Sequence, residues 1–104
     1  MTRGGVHWIE LDKRRPCVVV SSDEVLGVGV WQTHVVPLTS NLDRAGIAGN
    51  VLLRSTVTGL PKDSVAVPIG LELIDRFLLG QQTGRVPRPL LDDLDDGLRA
   101  VLGL

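Results

Sequence analysis

One cysteine, no tyrosine, two tryptophans and one phenylalanine stand in 104 residues. A lone Cys17 excludes an internal disulfide and a cysteine-based zinc site. Flanked by apolar neighbours, it reads as a small core residue. No segment approaches the ~20 apolar residues that a membrane-spanning helix needs. The first residues lack the apolar stretch of a secretory signal, so the expected setting is the reducing cytoplasm. Charge of one sign is lacking too. Eleven Lys and Arg oppose twelve Asp and Glu, for a net charge of −1. Whole-molecule charge therefore does not announce a nucleic-acid binder, and any such site must be local. No GxxxxGK[ST] run exists, which excludes a P-loop, and Gly27-Val28-Gly29 is too short to suggest a dinucleotide site. His7 and His34 have no neighbour of ligand type at helical or turn spacing. They read as ordinary strand residues, with no metal site and no cofactor expected.

What the sequence does hold is short, Val-rich apolar runs separated by turn residues. A chain of this length suits one domain over residues 1–104. Val6–Leu11 reads as a first strand and Cys17–Ser21 as a second, with Val18, Val19 and Val20 pointing to burial on both faces. Ser22–Gly29 reads as a connection, Val30–Leu38 as a third strand and Asn41–Asn50 as an exposed loop. Val51–Arg54, Val65–Val67, Leu71–Ile74 and Thr83–Val86 supply further short strands, with a turn over Gly59–Ser64. The end of the chain differs. Leu91, Leu94, Leu98, Val101 and Leu102 mark one face of a helix, with Pro89 in its first turn and Gly103 as its stop. Asp92, Asp93, Asp95 and Asp96 read as that helix's solvated face. Several short strands closed by one helix predict a mainly β, α+β fold: a small, strongly curved antiparallel barrel with a C-terminal helix packed on the sheet.

The charge that matters is local. Through Lys62 the chain carries seven Lys and Arg against five acids, and afterwards four against seven. Lys13, Arg14 and Arg15 stand directly before Pro16 and the second strand. Arginine offers a planar fork suited to phosphate, and a strand mouth anchors it on rigid backbone. A second strand ends in Val36-Pro37-Leu38-Thr39-Ser40-Asn41, a row of hydroxyl and amide groups that can donate to phosphate oxygens. If both mouths share one rim, they form a phosphate cradle. A pairing of His7 with His34 for acid–base work has nothing in the sequence to bring the two together. Trp8 and Trp31 read as core or dimer packing rather than as stacking platforms.

These segments also resemble a known family. Arg3-Gly4, Val6-His7-Trp8-Ile9-Glu10-Leu11 and Arg15-Pro16 leading into Val18-Val19-Val20-Ser21 are similar to the opening of the MazF/PemK toxins. Val36–Asn41 and Thr58–Val65 resemble that family's next two motifs, and Leu91 to Leu102 its final helix. The resemblance implies an SH3-like barrel that forms a homodimer. It implies a metal-independent endoribonuclease that cuts single-stranded RNA at a short sequence and is blocked by a cognate MazE-like antitoxin. Family catalysis maps onto Arg15 and Thr39, with Ser40 and Asn41 as weaker candidates for RNA contact; the residues themselves add Lys13 and Arg14 as RNA contacts and His34 as a candidate helper. Two departures stand out. Only Asp12, Lys13 and Arg14 fill the usually longer loop before Arg15-Pro16, and Ile69-Gly70 replace a common acid and Gln. A gyrase-poisoning barrel of the CcdB kind, or an idle barrel that only binds an antitoxin, remains an alternative that cleavage of RNA in EDTA would separate.

Overall fold

A computed structural model describes residues 1–104. Its strands are β1 (Gly5–Ile9), β2 (Arg15–Val19), β3 (Gln32–Thr39), β4 (Val51–Leu53), β5 (Ser64–Ala66), β6 (Glu72–Asp75) and β7 (Gly84–Arg85). Three helices accompany them: α1 (Asp23–Gly27), α2 (Ser55–Thr58) and α3 (Arg88–Leu102). All pairings are antiparallel, in the order β4-β5-β3-β2-β1-β7, with β6 also on β3. One edge of β3 thus serves two partners. Gln32–Val35 pair with β6, while Leu38 and Thr39 pair with β5. Pro37 lies where the edge changes hands; it has no N–H to give, and its carbonyl accepts from Val67 at 3.1 Å. Splitting the edge this way curls the sheet into a half-barrel, in keeping with the strongly curved antiparallel barrel expected from the sequence.

The curl has a core on each face, and β2 feeds both. Val18 and Val20 join Val36, Leu38, Leu53 and Leu94 on the face covered by α3. Cys17 and Val19 join Ile9, Leu26 and Val35 on the other, beneath α1. This is the physical content of an unbroken Val run, since alternate side chains leave a strand in opposite directions.

α3 runs as the leucine spacing predicts, ending at Gly103 in the left-handed conformation. Leu91 and Leu94 are buried and Leu98 packs against the core, but Val101 and Leu102 are exposed beyond the sheet's edge. Gly97 marks the closest approach: a Cβ there would fall 2.3 Å from the Gly49 carbonyl oxygen. The acidic face is not all free solvent. Arg3 forks onto Asp95 and donates from Nε to the Val20 carbonyl at 3.1 Å, tying the first residues to the last helix.

Two short helices differ from the expectation. α1 falls inside the connection Ser22–Gly29, where the Ser22 hydroxyl accepts the Val25 N–H at 3.2 Å and Leu26 is buried. α2 follows β4 over Ser-Thr-Val-Thr, of which the two threonines and the valine favour strands. It forms because Asp63 accepts the Ser55 N–H at 2.8 Å, and it stops at Gly59, whose φ of 72° favours glycine. No helix is long and apolar enough to cross a membrane.

Candidate nucleic-acid interface

β1 and β2 pair with Trp8 opposite Pro16 and Ile9 opposite Arg15, so Arg15 opens β2 at the mouth of the hairpin. β2 and β3 pair with Cys17 opposite Pro37. That pair is the last of the ladder, and Arg15 and Thr39 lie two residues beyond it on their own strands, at the same end of the sheet. The two segments singled out in the sequence therefore meet at one rim.

They border a hollow of about 620 Å³. Trp8, Lys13, Arg14, Arg15 and Pro16 form one wall, and Pro37, Leu38, Thr39 and Ser40 the second. The third comes from Leu60, Pro61, Lys62 and Ser64, brought alongside because Thr39 pairs with Val65 on β5. Four cations line the hollow and no carboxylate does. A more open depression of about 820 Å³ shares Lys13 and Arg15 and leads out over Glu10 and Asp12. By contrast, the groove between residues 49–52 and α3 presents Asp93 and Asp96, the wrong sign for phosphate.

The cations are held differently. Arg15 gives one terminal nitrogen to Glu72 at 3.0 Å, reaching across β3 to β6. Arg14 donates from a terminal nitrogen to Glu10 Oε1 at 3.1 Å, with Nε 3.1 Å from Oε2, and its Cζ lies 4.6 Å from the Trp8 ring centroid. Lys13 and Lys62 have no carboxylate partner. The Thr39 hydroxyl accepts the Asn41 N–H at 3.2 Å, which leaves its own hydrogen to donate outward. Beneath the rim, burial pushes the Cys17 thiol up to about 12, helped by the nearby Glu72 carboxylate and opposed by Arg15. Such a thiol is no nucleophile. On the third wall's outer side, Asp63 is held below the usual carboxylate range by the Ser55 N–H and the Arg54 side chain.

Of the residues expected at a site, Lys13, Arg14, Arg15, Thr39 and Ser40 line the hollow, and Asn41 and His34 do not. The Asn41 side chain instead accepts the Asp43 N–H at 3.2 Å and caps the 3₁₀ turn Leu42–Gly46. His34 lies five residues up β3 from Thr39, ~17 Å at strand spacing. It is exposed there, with Nδ1 3.4 Å from Ser21 Oγ. His7 is buried on β1, its Nδ1 bonded to the Gly80 carbonyl at 2.8 Å, and β2 separates it from His34, so no histidine pair forms. Nor do any three His, Cys, Asp or Glu side chains gather as ligands would.

Lys62 and Ser64 were not read from the sequence as site residues. A lysine in a Gly-Leu-Pro-Lys turn looks solvated until β5 is known to lie on β3. Trp8 packs on the core with one part of its ring and lines the hollow with another, whereas Trp31 and Phe77 are exposed rather than core.

Comparison with known proteins gives a consistent result. The family described as PemK-like, MazF-like toxin of type II toxin–antitoxin system matches residues 2–102. The chain is similar to Endoribonuclease MazF6 of Mycobacterium tuberculosis, 33% identical over 112 residues that cover all of this chain and 98% of the relative. Endoribonuclease MazF9 of the same organism is 36% identical over 118 residues, with the same coverage. Among solved structures, the Mycobacterium tuberculosis toxin MazF-mt6 superposes with a TM-score of 0.82 at 25% identity, covering 96% of this chain and 97% of that one. A MazE–MazF structure from Deinococcus radiodurans shares the fold at a TM-score of 0.82 and 24% identity, covering 100% and 97%.

Proposed function

The chain belongs to the PemK-like, MazF-like toxin family of type II toxin–antitoxin systems, and on that premise we propose that residues 1–104 act as one cytoplasmic toxin unit, a sequence-specific endoribonuclease that cuts single-stranded RNA without a metal ion. The observation that carries this is the common hollow of Arg15 and Thr39 at the ends of paired strands.

The reaction is an internal transesterification. A ribose 2′-oxygen forms a bond to its own 3′-phosphorus while the bond from phosphorus to the 5′-oxygen breaks. The 2′-hydroxyl loses a proton and the departing 5′-oxygen gains one, leaving a 2′,3′-cyclic phosphate and a 5′-hydroxyl. Negative charge grows on the non-bridging oxygens. Arg15 meets it with charge-assisted hydrogen bonds, and the Thr39 hydroxyl adds a donor that fixes the phosphate's orientation. Arginine stays protonated at any working pH, so its role is electrostatic rather than that of a base. Lys13 and Lys62 hold the neighbouring phosphates.

The same cationic rim fits the partner expected of a toxin of this class. An acidic segment of a MazE-like antitoxin binds where RNA binds and excludes it. The toxin works as a homodimer. The test is purified protein, a long single-stranded RNA and excess EDTA. Cleavage that leaves 5′-hydroxyl ends, absent from an all-DNA copy and from a copy with one 2′-deoxyribose at the cut, is the expected result. Cutting of the DNA copy would overturn the mechanism, and intact RNA would favour a toxin that only binds its target.

A further inference from the structure

Arg14 and Arg15 are adjacent in sequence, yet their guanidinium groups are prepared for different work. Arg15 spends one terminal nitrogen on Glu72 and keeps the rest of its fork. Arg14 turns one edge to Glu10: a terminal nitrogen donates to Oε1 at 3.1 Å and Nε lies 3.1 Å from Oε2. That carboxylate lies along one edge of the guanidinium, and no side chain pairs with its other terminal nitrogen. Its Cζ lies over Trp8, 4.6 Å from the ring centroid, and Trp8 packs against the core. The Arg14 side chain is still 54% exposed and lines the hollow beside Arg15.

A guanidinium paired along one edge and backed by an indole offers a flat, weakly hydrated surface. Such planes take up unstacked bases of single-stranded RNA. The short turn makes the platform possible, since Glu10 and Arg14 are only four residues apart across it. Resting on the nuclease proposed above, we infer that Arg14, backed by Trp8 and oriented by Glu10, stacks on a nucleobase flanking the cleaved linkage and contributes to the choice of cut site, while Arg15 and Thr39 hold the phosphate.

The test uses an RNA oligonucleotide spanning one cut site, made uncleavable by a 2′-deoxyribose at the attacking position. Each flanking nucleotide is replaced in turn by an abasic residue, and Kd is measured for the wild type and for Arg14→Lys, which keeps the charge and loses the plane. One abasic position should weaken wild-type binding about tenfold. Arg14→Lys should weaken binding of the intact oligonucleotide by a similar factor, with an unchanged slope of log Kd against log salt, and should be indifferent to that abasic position. Multiplying effects of the substitution and the abasic residue, or wild-type affinity of Arg14→Lys, would overturn the stacking role. If wild type cuts RNA and Arg15→Ala does not, such a result removes the stacking alone. A wild type that neither cuts nor binds RNA removes both.

Discussion

The Arg15 guanidinium stands 3.0 Å from the Glu72 carboxylate, so the residue at the mouth of β2 is tethered across β3 to β6. A phosphate arriving in the hollow competes with this internal anion for the same cation. Both side chains are partly exposed, 44% and 36%, which keeps the pair's worth at about 0–1 kcal/mol. Glu72→Gln should therefore raise kcat/KM on RNA by up to about fivefold at low salt, with the gain shrinking as salt screens the pair. A fall in kcat/KM would show instead that Glu72 orients Arg15 for the reaction.

Arg15→Ala should lower kcat/KM by roughly 10²–10³, with little change in Tm because the side chain lies on the rim. Thr39→Val should remove most activity and Thr39→Ser retain it, since the proposed role belongs to the hydroxyl rather than the methyl. Single-turnover cleavage with thermal unfolding on the same samples checks both. An active Arg15→Ala protein would disprove the assigned centre.

Lys62 has no carboxylate partner to compensate it, so Lys62→Ala should weaken RNA binding evenly across sequences. The slope of log K against log salt should fall by about 0.7, as for one lost contact to a single strand. A sequence-dependent loss would mean that Lys62 reads a base.

Cys17 titrates near 9 when unfolded and at about 12 when folded, because burial disfavours the thiolate. Between those values the folded state holds a proton that the unfolded state has lost. Stability from this group is complete below pH 9 and declines from there toward pH 12. Tm of the wild type should fall more steeply over that range than Tm of Cys17→Ala, and native protein should resist thiol labelling at pH 8. Parallel Tm curves would contradict the effect.

Gly97→Ala favours the helix by about 1 kcal/mol on propensity alone. The new Cβ, however, would stand 2.3 Å from the Gly49 carbonyl oxygen, which is backbone and cannot swing aside. Overpacking of this kind typically costs about 1–3 kcal/mol. The expected outcome is a lower midpoint in denaturant, against the propensity, and a stabilised variant would refute the contact.

The sheet and α3 were legible because their signals are dense: a Val run feeding two faces, and leucines at helical spacing. The meeting of Arg15 with Thr39 was legible only as a condition, since register appears in pairing and not in either strand alone. α1 and α2 escaped because each rests on one capping oxygen, from Ser22 and from the distant Asp63. Five or four residues are too few for a periodic pattern to show. Asn41 lies next to the site in sequence but is turned to the 3₁₀ turn it caps, a use of its amide that competes with ligand contact.

β3 borders β2, β5 and β6 at once. Sliding it by a single residue would carry Thr39 to the opposite side of the sheet, away from Arg15, and pull Lys62's turn out of place. The rim proposed as the site is thus the product of three strand pairings at once rather than of any local segment, and a sheet that lacks one of them lacks the rim.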